Sequence, residues 1–222
     1  MPARPSLPAL PTAPALADVA REAARFGSSF RPDAGWERFV EATRPAADLS
    51  ASAHRQALLR WLNAWGCRIR YPRPGEADRF DESIAAWWAA WHPVLPATGL
   101  AALADEQIDA LGEGYAALAA APVSAGPRGR RLGPTAAAKS LYALRPAAVM
   151  PWDEAIAVGM HGGRDGAAFA RHLRTGRAWA LALMAEAGVG EDALPAALGR
   201  PGLTVAKVLD EYCYLVHARG SG

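Results

Sequence analysis

Residues 132–156 read LGPTAAAKSLYALRPAAVMPWDEAI, and this stretch indicates the kind of fold that the chain adopts. A Gly-Pro turn begins a short helix that contains Lys139, and an Arg-Pro pair ends it, because proline cannot continue a helix. After a short apolar run, Pro151 and Trp152 lead to Asp153, whose carboxylate is suited to cap the next helix. The stretch therefore predicts two helices joined by a bend, with an amine and a carboxylate close together.

The rest of the sequence is also helical in its pattern. Apolar residues recur at helical spacing between glycines and prolines, and no alternating strand pattern extends beyond a few residues. We predict an all-α protein of about ten helices, counting the short ones. They form one domain over 18–222, whose motif-bearing part is 128–218. Residues 1–17 are rich in proline and small residues, which predicts a disordered tail.

Composition excludes several classes of protein. The net charge of +2 is too small to imply a nucleic acid or an anionic membrane as partner on its own. Two cysteines are too few for a disulfide framework or a cysteine-ligated cluster, so a reducing compartment is expected. No apolar run reaches the length of a membrane span, and prolines interrupt the region where a signal peptide would lie. We therefore expect a cytoplasmic protein without a membrane partner.

Lysine is rare in this chain. Of the 24 basic residues only two are lysines, Lys139 and Lys207, and the abundance of Ala, Arg, Gly and Pro suggests a GC-rich coding sequence that favours arginine. A desolvated lysine can lose its proton and act as a nucleophile or base, whereas arginine cannot. The two lysines are therefore candidates for sites where arginine would not serve. The alternative is that each is an ordinary helix lysine with its charge at the surface.

The start of the first helix in this stretch is a candidate anion site. Gly133 and Pro134 form a turn and Thr135 is a good cap, so the next backbone N–H groups point out of the helix terminus, where phosphate binds well. Three arginines lie just upstream and add positive charge: Arg128, Arg130 and Arg131. We predict a phosphate clamp over 128–137.

Other polar residues are placed near the same bend. His161 and Arg164 follow the short helix that Asp153 starts, so both are expected to reach the same cleft. Lys207 and Glu211 are four residues apart on the last helix and can pair, together with Asp210, on a solvated face. That face bordering the same pocket is the alternative.

Motifs for metals and cofactors are absent from the sequence. The histidines show no metal-ligand spacing, and neither HExxH nor CxxC occurs. GxGxxG, Walker and GxSxG motifs are also missing. We predict neither a metal nor a cofactor.

The residues of 132–156 resemble the helix-hairpin-helix superfamily of DNA glycosylases. Gly133 matches the last glycine of the family's hairpin, and the Pro-Trp-Asp segment matches the segment of its catalytic aspartate. The separation from Gly133 to Asp153 is 20 positions (153 − 133), close to that of the family. Thr135 stands where lyase members carry lysine, Lys139 lies one turn later on the same face, and Ala155 stands where histidine is usual.

A closer similarity is to a group of bacterial helical proteins that share a K-x-L…P…WD core. Together these resemblances imply a helix-hairpin-helix-like core over roughly 33–218 and DNA as partner, held at 128–137. The implied reaction is base excision from a nucleotide flipped out of the stack. Asp153 would stabilise the oxocarbenium ion or orient water, Lys139 would form a Schiff base, and Trp152 would stack on the base. Arg145 would add to the DNA-facing charge.

Other interpretations of the same residues stay open. Asp153 caps a helix in any case, with Lys139 or Arg145 as its ion-pair partner and Trp152 in the core. A non-catalytic helical module could bind a partner or nucleic acid through the same turn. An enzyme acting on a small molecule could use a pocket lined by Trp152, Asp153 and Lys139.

Overall fold

The computed structural model describes residues 10–30, 33–124 and 129–218, which fold into ten α-helices without a β-strand. The helices are α1 Leu16–Ser29, α2 Ala34–Ala42, α3 Ser52–Ala64, α4 Arg79–Trp91, α5 Asp105–Ala120, α6 Pro134–Leu144, α7 Glu154–His161, α8 Gly166–Ala187, α9 Leu194–Ala197 and α10 Val205–Cys213. The all-α, single-domain fold predicted from the sequence is therefore confirmed. None of these helices combines the length and the apolar character that crossing a membrane requires.

Shorter elements complete the fold. Two 3-10 turns, His92–Val94 and Leu100–Ala102, lie between α4 and α5, and a π-helical turn, Tyr214–Ala218, continues α10. In the connection from α5 to α6, Pro122 and Arg131 form an isolated antiparallel bridge. Most of the predicted tail lies outside the described residues, and α1 begins at Leu16.

Aspartate caps start α2, α7 and α8, and the one at Asp153 is the cap predicted from the sequence. The Asp153 carboxylate accepts a hydrogen bond from the Ile156 N–H at 2.9 Å at the start of α7. Asp33 and Asp165 cap α2 and α8 in the same way. Such caps satisfy backbone donors that a helix terminus otherwise leaves unpaired.

The cap of α6 lies two residues before the predicted one. Gly133 rather than Thr135 is the cap, with a positive φ of 85° that glycine adopts without steric cost. Pro134 takes the first helical position, where its fixed φ suits the helix and its missing N–H is not needed. The Ala137 N–H already donates to the Gly133 carbonyl, so only Thr135 and Ala136 have N–H groups free of helical partners.

Helices α5 and α8 pack closely because two glycines face each other. A Cβ added to Gly166 would lie 2.5 Å from the Gly112 carbonyl oxygen, so the two backbones are in contact. The approach brings the Tyr115 and Phe169 rings into a stack with centroids 4.2 Å apart. Trp152 packs edge-on against both rings. This packing fixes the backbone just before Asp153.

A second aromatic group holds α2, α3 and α6 together. Trp36 lies 5.4 Å from Trp61 and 5.1 Å from Tyr142, measured between ring centroids. The tryptophans of α4 belong to the core as well: Trp87 and Trp88 are buried, and the Trp87 indole donates to the Gly114 carbonyl. Aromatic residues at helical spacing therefore act here as core.

Gly166→Ala is expected to lower the free energy of unfolding by about 1–3 kcal/mol, because the new methyl group meets backbone rather than a movable side chain. Gly159→Ala, in α7, is the matched control, since the nearest atom to its added Cβ is His217 Nδ1 at 3.9 Å. Alanine is the better helix former, so this control should gain up to about 1 kcal/mol. Urea unfolding measures both; a Gly166→Ala protein as stable as wild type would contradict the contact.

Candidate functional site

A cavity of about 800 Å³ lies between α1, α2, α6, α7 and α10. Aromatic side chains from several of these elements form much of its wall, among them Phe26, Trp65 and Tyr142. Both lysines of the chain, Lys139 and Lys207, also line it. The Lys139 amine and the Asp153 carboxylate, to which the resemblance assigns roles in one reaction, thus line the same space.

Lys139 is half-buried and held by Trp65. Its Nζ donates to the Trp65 carbonyl oxygen at 3.3 Å and lies 4.6 Å from the centroid of the Trp65 ring. No ion pair joins Lys139 to a carboxylate within the described ranges. Burial lowers the pKa of Lys139, because desolvation disfavours the ammonium form. The amine is therefore closer to its neutral, nucleophilic form than that of an exposed lysine.

Asp33 fixes the indole on which Lys139 rests. One of its carboxylate oxygens accepts from the backbone N–H groups of Gly35 and Trp36 and so caps α2. The other accepts from the indole N–H groups of Trp61, at 3.3 Å, and Trp65. The cap and the two indoles restrain each other, which presents a fixed ring face to Lys139.

Asp153 caps a helix and also lines the cavity. One carboxylate oxygen caps α7, and the side chain is half-buried in the cavity wall. The ion pair with Lys139 or Arg145 considered from the sequence does not form, although the charge of Asp153 acts on Lys139. A carboxylate at a helix amino terminus faces a favourable partial positive charge. The group is therefore positioned at the cavity, and no cationic side chain among the described residues forms an ion pair with it.

Two histidines support the backbone before Asp153. His172 Nε2 lies 3.4 Å from the Pro151 carbonyl oxygen, and His172 Nδ1 lies 3.0 Å from His161 Nε2. Because a carbonyl only accepts, His172 carries its proton on Nε2, and His161 must donate through Nε2. Burial lowers the pKa of His161 to about 4 and that of His172 to about 3. Both imidazoles are therefore neutral and linked in one direction.

The polar face of α10 lines the cavity, which corrects the expectation of a solvated face. Lys207 pairs with Asp210 at 2.7 Å, and its distance to Glu211 is 3.9 Å. Glu211 is only 2 % exposed and its Oε1 accepts from Arg200 at 2.8 Å. Burial raises the pKa of Glu211, because a buried carboxylate favours its neutral form. The polar face of helix α10 therefore borders the cavity inside the protein rather than bulk water.

Gly27 of α1 makes room for Arg200. A Cβ at this position would collide with Arg200 Nη1, so a larger residue would push the guanidinium aside. Arg200 also lies over the Phe26 ring, with 5.9 Å between its Cζ and the ring centroid. Helix α1 therefore helps to position Arg200 for its ion pair with Glu211 of α10.

Three of the predicted site residues meet in the cavity: Lys139, Trp152 and Asp153. Trp152 is 2 % exposed and packs mainly against the core, so only a small part of it faces the space. Arg128 lies outside the described residues. The other predicted residues do not line the cavity: Gly133, Thr135, Arg130, Arg131, Arg145, His161 and Arg164.

These other residues have separate environments. Arg130 and Arg131 are exposed on the α5–α6 connection, and Arg130 donates to the Arg68 carbonyl. Arg145 donates to the Leu144 carbonyl, and burial lowers its pKa. Arg164 pairs with Glu154 at 2.9 Å on the outer side of α7.

Sequence reasoning missed the wall that α1 and the α9–α10 connection contribute. Phe26 and Phe30 stack at 4.3 Å, and Tyr214 meets both rings edge-on. Phe26 and Phe30 are four residues apart, which predicts that they share one face of a helix. This spacing does not predict that the face packs beside α10.

No group of three or more His, Cys, Asp or Glu side chains is placed to hold a metal ion in the part of the chain that the structure describes. Comparison of the chain with family models, curated proteins and solved structures finds no match. The chemistry of the cavity is therefore the basis for an assignment of function.

The neutral histidine pair predicts a dependence of stability on pH. The unfolded chain takes up protons near the ordinary histidine pKa of 6.5, but folded His161 does so only near about 4 and His172 near about 3. The free energy of unfolding should therefore fall as pH drops from 6.5, by up to about 1.4 kcal/mol per pH unit for each imidazole. Urea unfolding of wild type and of His161→Asn/His172→Asn measures it; equal slopes in this window would contradict neutral buried histidines.

Proposed function

We propose that the chain is a base-excision enzyme of the helix-hairpin-helix DNA glycosylase type, with Lys139 and Asp153 as its reacting side chains. The observation that carries this proposal is that a desolvated lysine, with no ion pair to any residue that the structure describes, and a carboxylate line one cavity of about 800 Å³. Cavities of a few hundred to about 1,000 Å³ are typical of sites for small organic groups. A base and its sugar fit this range.

The aromatic wall suits a planar base. An enzyme that acts on a base must take it out of the stack and hold it between aromatic or apolar side chains. Trp65, Tyr142, Phe26 and Phe30 line the cavity and offer such surfaces. Base–aromatic stacking contributes about 1–3 kcal/mol per base.

The two reacting groups divide the chemistry between them. As the bond between C1′ and the base breaks, the base leaves with the electron pair and gains a proton, and positive charge develops on the sugar. The Asp153 carboxylate stabilises that charge. The neutral Lys139 amine forms a bond to C1′ and gives one of its two protons to the departing base. Ring opening then moves the other proton to the ring oxygen of the sugar and leaves a Schiff base between Lys139 and C1′.

The connection from α5 to α6 is the proposed contact with the DNA backbone. Helices α5 and α6 are consecutive and packed together, and the connection carries the exposed Arg130 and Arg131. It ends at Gly133, where the free N–H groups of Thr135 and Ala136 begin α6. Backbone donors at a helix start next to cations are suited to a phosphate.

A second candidate is an enzyme that forms a Schiff base with a small aldehyde or ketone. It is favoured by the separation of the cations from the cavity, because Arg130, Arg131 and Arg145 do not line it. The same amine, Lys139, would react in both cases.

Borohydride trapping distinguishes the two. A duplex oligonucleotide with one abasic site should form a covalent adduct with the wild-type protein, because the imine on Lys139 is reduced to a stable amine. Lys139→Met should abolish the adduct. The matched control is Lys139→Met/Arg79→Lys, which restores the number of lysines at the half-exposed Arg79 of α4 without restoring the cavity amine.

An adduct that persists in Lys139→Met, or that returns in the double variant, would contradict the proposed nucleophile. No adduct with DNA, together with a Lys139-dependent adduct of a small aldehyde such as glyceraldehyde, would replace the first candidate by the second. Gel mobility and mass spectrometry of the adduct provide the measurement.

Asp153→Asn separates the cap from the reaction. Asparagine caps helices about as well as aspartate, so the free energy of unfolding should change by less than about 0.5 kcal/mol. Base release should fall about a hundredfold or more, because the negative charge beside the sugar is lost. Asp153→Ala should in addition lose about 1 kcal/mol of stability with the cap. Base release by Asp153→Asn at the wild-type rate would exclude a catalytic role for Asp153.

A further inference from the structure

Both lysines of the chain lie against the same indole ring. Lys139 Nζ is 4.6 Å from the centroid of the Trp65 ring, and Lys207 Nζ is 5.5 Å from it. Lys139 belongs to α6 and Lys207 to α10, so the pair arises only in the folded protein. Two ammonium groups at one ring repel each other, so the anionic groups that stabilise each of them have to be identified.

The two lysines differ in their anionic partners. Lys207 is 15 % exposed in its side chain and pairs with Asp210, itself 13 % exposed, at 2.7 Å. Arg200 pairs with the neighbouring Glu211. The carboxylates of α10 are thus matched by Lys207 and Arg200, and Lys139 donates instead to a backbone carbonyl and a ring face.

We propose that Lys207 is a positioning residue for Lys139: by pairing with Asp210, it keeps the carboxylates of α10 from binding Lys139 and leaves the Lys139 amine free to react. This inference rests on the proposed function only because Lys139 is the nucleophile proposed there. Its test needs no DNA.

The charged groups around Lys139 favour this assignment. Burial lowers the pKa of Lys139, and the positive charge of Lys207 acts in the same direction. The charges of Asp210 on α10 and Asp153 on α7 act in the opposite direction, as would a Cys67 thiolate after α3. Burial raises the pKa of Cys67, so that thiol stays neutral. Loss of the Lys207 charge would therefore leave Asp210 free to hold Lys139 as an ammonium ion.

The remaining charges that face the pair lie farther along the cavity wall. Asp33 accepts from the Trp65 indole, and Glu37 lines the exposed rim of the cavity. Glu211 also lies 3.9 Å from Lys207, but Arg200 is closer to it at 2.8 Å and stays in place when Lys207 is changed. Asp210, which pairs with Lys207 at 2.7 Å, is thus the carboxylate that loses its closest cation.

The amine state of Lys139 can be measured directly. Short pulses of acetic anhydride label free amines, and mass spectrometry of the peptide that contains Lys139 gives its rate at each pH. Lys207 and the amino terminus are the other amines that the reagent can label, so the signal of Lys139 is simple to assign. In Lys207→Met the midpoint should move up by about one pH unit, because an unbalanced neighbouring charge shifts a pKa by this order. Labelling at neutral pH should then fall about tenfold.

Two variants separate charge from structure. Lys207→Arg keeps the cation and should retain the wild-type profile of Lys139. Lys207→Met/Asp210→Asn removes both partners together and should return the midpoint toward the wild-type value. Asp210→Asn alone should lower the midpoint, which provides a test if Lys207→Met does not fold.

An unchanged midpoint in Lys207→Met, or in Asp210→Asn where Lys207→Met does not fold, would overturn the inference. So would a double variant that labels like Lys207→Met. The proposed function fails separately, in the trapping experiment: a labelling profile that depends on Lys207 with no adduct on abasic DNA would leave the lysine pair assigned and the DNA reaction excluded.

Discussion

The contact between the backbones of α5 and α8 at Gly112 and Gly166 is the constraint on which the rest of the site depends. It allows Tyr115 to stack on Phe169, and both rings support Trp152. Helix α8 also supplies His172, which binds the Pro151 carbonyl. The backbone before Asp153 is therefore held from two sides by α8, although no residue of α8 lines the cavity.

The cavity combines an apolar wall with a set of charges in which the carboxylates of α10 are paired with cations. Lys207 and Arg200 are bound to carboxylates of α10, and Asp33 is bound to indole and backbone N–H groups. Lys139 is the cation that lacks such a partner among the described residues. In a low-dielectric setting an amine without an ion pair loses its proton more easily, so the pairing of the neighbouring charges affects the pKa of Lys139.

Local signals account for what the sequence predicts well. The cap at Asp153 depends on a residue three positions away, and Lys139 and Asp153 are separated by the end of one short helix and one turn. The contributions of α1 and α10 depend on contacts between opposite ends of the chain, which periodicity does not contain. For the same reason the pattern predicts a pair of Lys207 and Glu211 but not its place inside the protein.

Helix α1 closes one side of the cavity through Phe26, Gly27 and Phe30. It is the first described helix, and its main contacts are with α10 near the other end of the chain. Because Val19 and Ala23 of the same helix are fully buried, one face of α1 belongs to the core while its end covers the cavity. The amino-terminal helix therefore links the stability of the core to the amount of solvent that reaches Lys139 and Asp153 from this side.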